Sequence, residues 1–444
     1  MSDLQKSFAK SRLAKIPPEV PVFDDITESR SGPGVYNDHH EDDSSSASSA
    51  SSTGTIVPSQ SQKLFERGSG ARSRSNFVAS PWSDFFETEL FIEDDIDGLH
   101  INHHIYFTSP SKSGPLFVMH HGAGSSGLSF AACAAEIRRA LPTAGVLSLD
   151  ARSHGLTTQG TTDLLKQEQD LTLETLSRDL IYIVKKTKEK LKWDSIPPLV
   201  LVGHSLGGAV VTHVAKSGEL GSNVLAYAVL DVVEGSAIDA LQSMETYLST
   251  RPSSFPSLAS GIEWHTRSRT IRNTASARVS VQGLLREEPS IDSHVAASWK
   301  WRTDLARTKP FWENWFTGLS KKFLEARGGK LLLLAGTDRL DKELIIGQMQ
   351  GKYQLQVFPE TGHFIHEDQP VKTAQILVDF YKRNDRSALV LPPKVSDMLA
   401  SKDMDLTATN ASTFALISLL YLNAGIEITT LPHNTLEIVG YCQR

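Results

Sequence analysis

Leu199-Val200-Leu201-Val202-Gly203-His204-Ser205-Leu206-Gly207-Gly208-Ala209 decides the fold. Four consecutive apolar residues read as a buried strand, and a helical stretch begins near Ala209. Between them stands a serine in G-x-S-x-G, the context of a nucleophile elbow. The chain there turns so sharply that the serine is strained and its hydroxyl is presented at the carboxyl edge of the sheet. Glycines on both sides remove Cβ atoms that would clash with strand and helix. The helix N-terminus behind Ser205 favours developing negative charge. An ordinary Gly-rich turn is the bland alternative, and the strand-to-helix context argues against it. Ser205 is the candidate nucleophile.

Outward from the elbow, strand and helix patterns alternate. Residues 87–92 and 99–107 flank Asp97-Gly98, a hairpin signal. Residues 116–120, 146–149, 224–230, 331–335 and 354–358 are short apolar runs. Residues 171–191 set Leu173, Leu176, Leu180 and Val184 on one helical face, and residues 370–383 do so with Val371, Ala374, Leu377 and Tyr381. The pattern predicts an α/β fold with a mostly parallel central sheet covered by helices. Residues 232–330 separate two strands by far more than an ordinary connection and predict a helical cap insertion.

The chain has 444 residues, 45 Lys+Arg against 51 Asp+Glu, and a net charge of −6. Such a balance excludes a bulk electrostatic grip on nucleic acid. Cys133 and Cys442 are too few for a disulfide scaffold or a thiolate zinc site, and they fit a reducing compartment, cytoplasmic or nuclear. The first 28 residues lack the apolar core of a secretory signal, and no stretch reaches the roughly 18 apolar residues that span a bilayer, so no membrane role is expected. Residues 1–76 read as a disordered Ser-rich tail, solvated rather than a localisation signal or phosphorylation platform. The organised domain covers residues 77–383. Residues 384–444 form a C-terminal extension of unknown structure.

A serine needs a base. His363, in Gly362-His363-Phe364, follows the last strand and precedes the final helix, where this architecture carries it. His366 competes, and the pair would need a third convergent ligand to hold a metal. The acid has two candidates. Asp338, in Gly336-Thr337-Asp338-Arg339, is mildly preferred by pattern, and Asp231, in Leu230-Asp231-Val232-Val233-Glu234-Gly235, also ends a strand. His121-Gly122-Ala123-Gly124 follows the strand at 116–120. The backbone N–H of Ala123, with that of Leu206, can form an oxyanion hole.

These strings, with Asp150-Ala151-Arg152-Ser153-His154-Gly155, Gly347-Gln348-Met349-Gln350-Gly351-Lys352 and Gly362-His363-Phe364-Ile365-His366-Glu367-Asp368, closely resemble the protein phosphatase methylesterase family over about residues 77–383. The resemblance implies a serine hydrolase that removes the methyl ester from the C-terminal leucine of the protein phosphatase type 2A catalytic subunit. It implies that subunit as partner, through its tail and active-site face, and no cofactor or metal. It places the triad acid at Asp231, with Asp338 as runner-up. The family's oxyanion string is more uniformly glycine, and Ala123 interrupts it here while keeping its N–H. Trp264, Trp299, Trp301, Trp312 and Trp315 fall in the cap and either anchor a substrate tail or pack the cap. The competing expectations are a general carboxylesterase or lipase of the same fold, and a non-catalytic phosphatase-binding regulator.

Overall fold

The apolar runs become strands of one nine-stranded sheet in a computed structural model. It describes residues 77–96, 98–161, 170–289, 297–336, 340–385 and 387. The expectations for residues 1–76, for most of 384–444 and for Asp338 lie outside these residues. The chain divides into two units, Met1–Asn384 and Asp385–Arg444, and the sheet belongs to the first.

Strands β1 (Thr88–Ile96) and β2 (Leu99–Thr108) form the antiparallel hairpin, with Ile96 opposite Leu99. Then come β3 (Leu116–His120), β4 (Gly145–Leu149), β5 (Thr158–Thr161), β6 (Leu199–His204) and β7 (Val224–Leu230). The sheet order is β1-β2-β4-β3-β6-β7, continued by β11 (Gly329–Leu334) and β12 (Gln354–Val357), with β5 paired to β2. From β4 to β12 every pairing is parallel. Strands β3, β4 and β6 are buried along their whole length, as expected of parallel strands covered on both faces.

Alternation sends successive side chains to opposite cores. Leu116, Val118, Leu199 and Leu201 pack in one core with α2 (Leu173–Lys190) and α3 (Leu206–Ser217). Phe117, Met119, Val200 and Val202 pack in the other with α1 (Ala131–Ala140) and the last helix, Pro370–Asn384. Leu173, Leu176, Leu180 and Val184 are all buried. In the last helix Ala374, Leu377 and Tyr381 are buried, but Val371 in its first turn stays 62% exposed. Periodicity assigns a face; it does not say how far the opposing surface extends.

Between β7 and β11 lie α4 (Glu234–Thr250), α5 (Leu258–Arg267), α6 (Thr274–Leu284), α7 (Trp312–Phe316) and α8 (Leu319–Glu325). This insertion also holds a small antiparallel sheet, absent from the sequence expectation, of β8 (Ser254–Phe255), β10 (Ser298–Trp301) and β9 (Leu285–Glu288) in that order. Phe255, Ile262, Ile271, Ala277, Val281 and Leu285 form its core, with Trp264, Trp299 and Trp301 packed against them. Trp312 and Trp315 are buried in the main core. The cap tryptophans therefore pack rather than stand open. The start of the described chain is tied to α6: Ser80 N donates to Arg278 O, Arg278 Nε to Val78 O, and Gln282 Nε2 to Ser80 O.

Candidate active site

The turn from β6 into α3 places Ser205 at φ 51° and ψ −120°. A non-glycine residue in such a region costs about 1–3 kcal/mol and persists only where its surroundings hold it. Ser205 N donates to Leu230 O at 3.0 Å, which fastens the turn to the adjacent strand. The flanking glycines are steric requirements. A Cβ on Gly203 would lie 2.0 Å from Gly207 O, and one on Gly207 would lie 2.0 Å from His120 O.

Asp231 follows β7 at φ 50°. Its N–H donates to Leu333 O at 2.8 Å, and its Oδ1 accepts the Ala335 N–H at 2.9 Å. Its Oδ2 lies 2.8 Å from His363 Nδ1. The Asp231 side chain is fully buried, whereas that of His363 is 43% exposed. A carboxylate accepts, so Nδ1 carries the hydrogen and Nε2 keeps its lone pair. His204 supports the same loop from beneath: its Nε2 donates to His363 O at 2.9 Å, and the two rings are 4.6 Å apart. Burial pushes the His204 pKa down to about 3, so it stays neutral. Among the described residues no hydrogen bond joins Ser205 Oγ to His363. Such contacts are often loose before substrate binds.

His366, the competing base, lies in a short helix, Ile365–Asp368, and is fully buried. It stacks on Phe130 at 4.3 Å, neither ring nitrogen has a partner, and burial holds its pKa well below the ordinary value. An imidazole closed off in this way packs the floor of the site.

The loop after β3 comes against the elbow: a Cβ on Gly122 would lie 3.0 Å from Ser205 Cβ. Ala123 is the next residue, and Leu206 is the first residue of α3. Leu206 N–H is one of the helix's orphan donors, and Ala123 N–H has no acceptor among the described residues. The string after β4 is structural to an extent the sequence did not signal. Asp150 accepts from Gly127 N at 2.7 Å and lies 2.8 Å from His104 Nδ1. Arg152 pairs bidentately with buried Asp179 at 2.6 and 2.8 Å.

Asp94, His103 and Asp179 bring potential metal ligands within 4.8 Å of one another. Both Asp179 oxygens are already occupied by Arg152, and Oδ1 also accepts from Arg178 at 2.7 Å. Burial opposes ionisation of Asp179, and the bonds and charge of Arg152 more than reverse it, so its pKa is lowered. Two guanidiniums therefore stand where a cation would have to enter.

A mostly parallel sheet with a Gly-flanked serine after one strand and a paired aspartate and histidine after two others defines the α/β hydrolase class. The family model described as "Alpha/beta hydrolase family" matches residues 117–376. Protein phosphatase methylesterase 1 of Aspergillus oryzae is 66% identical over 426 residues, covering 91% of this chain and 95% of that one. The protein of the same name from Schizosaccharomyces pombe is 43% identical over 343 residues, covering 76% and 96%. The chain belongs to the protein phosphatase methylesterase family and is a carboxylic ester hydrolase. Among solved structures, E-2-(acetamidomethylene)succinate hydrolase aligns with a TM-score of 0.50 at 17% identity, covering 66% of this chain and all of that one. That likeness speaks for the fold alone. Among the described residues no helix is long and apolar enough to cross a membrane.

Proposed function

We propose that Ser205, His363 and Asp231 are nucleophile, base and acid of an acyl-enzyme mechanism. We propose further that the substrate is the methyl ester on the C-terminal leucine of the protein phosphatase type 2A catalytic subunit. The observation that carries the mechanism is the 2.8 Å contact of His363 Nδ1 with the buried Asp231 carboxylate, on a ring packed beside the elbow. The substrate reading rests on the family and on the name its relatives bear. The partner is the catalytic subunit itself, met through its tail and active-site face, in the cytoplasm or nucleus.

Ser205 Oγ attacks the ester carbonyl as its proton passes to His363 Nε2. The tetrahedral oxyanion is stabilised by the N–H groups of Ala123 and Leu206, each worth about 2.7–4 kcal/mol of barrier. Asp231 holds the tautomer and stabilises the imidazolium. His363 then protonates the departing methoxide, and methanol leaves. A water, deprotonated by the same nitrogen, cleaves the acyl-serine and returns the leucine carboxylate. The test is loss of the C-terminal methyl ester from methylated catalytic subunit, with Ser205→Ala alongside. Demethylation by the wild type but not by the variant is expected. A folded wild type without demethylation would remove this substrate.

A further inference from the structure

His154 is buried, and each of its ring nitrogens has one partner. Nδ1 lies 2.7 Å from Arg152 O, and Nε2 receives the Gly124 N–H at 2.9 Å. A carbonyl oxygen only accepts, so Nδ1 bears the hydrogen and Nε2 offers a lone pair. Acceptance at Nε2 needs the neutral ring, and burial lowers its pKa accordingly.

The held N–H belongs to the peptide that follows Ala123. The peptide that precedes Ala123 is held as well: Gly122 O lies 2.7 Å from His121 Nδ1 and accepts from Ser125 N at 3.1 Å. His121 Nε2 in turn accepts the Ala151 N–H at 2.9 Å, which fixes its tautomer. A trans peptide is planar, with C=O and N–H pointing to opposite sides. Holding Gly122 O therefore sets the direction of the Ala123 N–H. Holding the next plane removes the remaining freedom of Ala123. The need is real, because glycines flank Ala123 and Gly124 takes φ +74°.

We propose that His154 is a positioning residue for ester hydrolysis, holding Gly124 N–H so that Ala123 N–H stays aimed at the oxyanion. This rests on the assignment of Ser205 and Ala123 to the reacting site. The holder is itself held. Arg152, whose carbonyl it bonds, is locked to Asp179, and Thr303 Oγ1 of the cap donates to Ser153 O at 2.9 Å. Leu305 closes the other side of the loop, since a Cβ on Gly124 would lie 2.6 Å from its Cδ1.

His154→Met and His154→Gln have similar shape, and only the amide offers a strong acceptor. With p-nitrophenyl acetate as probe, His154→Met is expected to lose about 10- to 100-fold in kcat/KM, less than outright removal of a donor. His154→Gln is expected to recover most of it. A trifluoromethyl ketone, whose serine adduct bears an oxyanion, should lose affinity in the same proportion. Wild-type turnover in folded His154→Met overturns the inference, as does lost turnover with unchanged adduct affinity. The wild-type tautomer gives a readout independent of any variant: nitrogen NMR should find His154 Nε2 unprotonated, and a proton there overturns the inference. Turnover at the wild-type rate in folded Ser205→Ala would instead overturn the assignment of the site itself.

Discussion

Ser205 holds φ at 51° because its N–H is fastened to Leu230 and the glycines beside it leave room for the turn. Its geometry is maintained by what surrounds it, so a single methyl nearby should undo it. Gly207→Ala puts a Cβ 2.0 Å from His120 O, which is backbone and cannot step aside as a side chain tip would. A loss on the order of 3 kcal/mol is expected, measured by denaturant unfolding, with esterase activity lost in the protein that remains folded. Asp231→Asn keeps the shape of the acid but lets the amide hold the wrong imidazole tautomer. A fall of about 10⁴-fold in kcat with little change in KM is expected; a fall below tenfold would point to a different acid. At this scale the sequence was legible where chemistry is local. The serine, its glycines and His363 could be singled out as candidates from spacing. The choice between Asp231 and Asp338 could not be made, because both follow an apolar run in the sequence, and those runs become the neighbouring strands β7 and β11. The roles of His121 and His154 were hidden for a related reason: their bonds depend on ring direction, and Gly124 and His154 are thirty positions apart.

Glu367 joins two elements. It is buried in the helix Ile365–Asp368, its carbonyl accepts from Ser276 Oγ at 2.7 Å, and its Oε2 accepts from Ser280 Oγ at 2.5 Å, both serines lying on α6. Next to it Asp368 accepts from Arg272 N and Gly362 N at 2.8 and 2.7 Å. The cap is thereby clasped to the loop that carries His363. Burial pushes the Glu367 carboxyl up to about 8 from an ordinary 4.5, the charge of Asp368 adding and the Ser280 bond opposing. Between those values the unfolded chain has lost the proton and the folded chain keeps it. Stability from this group therefore falls as pH rises through that window, by at most about 1.4 kcal/mol per pH unit, and levels off above it. Glu367→Gln should be more stable than the wild type by a margin that widens from pH 5 to pH 8. Thermal unfolding across that range checks it, and a flat margin would mean that Glu367 ionises normally. The sequence string here shows two adjacent carboxylates, Glu367 and Asp368. Nothing in it tells which carboxylate will be covered by a helix from the insertion.

For the whole molecule, the sheet was legible because its strands are continuous apolar runs, and the two cores follow from alternation along them. The cap was legible only as an interruption. Its small sheet escaped notice because β8 has two residues and β9 and β10 are short and polar on one side. The cap also has its own apolar centre, and Arg251 lies over the Trp301 ring at 3.6 Å, a desolvated stack that holds its rim. Arg251→Ala should leave the main transition in place while amide exchange quickens in β8 and β10; unchanged exchange there would mean that the stack adds nothing.

The three bonds between residues 78–80 and α6 set where the chain can be shortened. A protein begun at residue 81 would keep every strand of the sheet, the elbow and the Asp231–His363 pair. It would lose the main-chain partners of Arg278 and Gln282, so α6 would keep its packing and its serine bonds to Glu367 but lose its hydrogen-bonded tie to the start of the chain. The N-terminal edge of the catalytic body is thus drawn by the cap's anchorage rather than by the first strand. A trimming series read by protease resistance of α6 should break between residues 77 and 81, ahead of any change in the sheet.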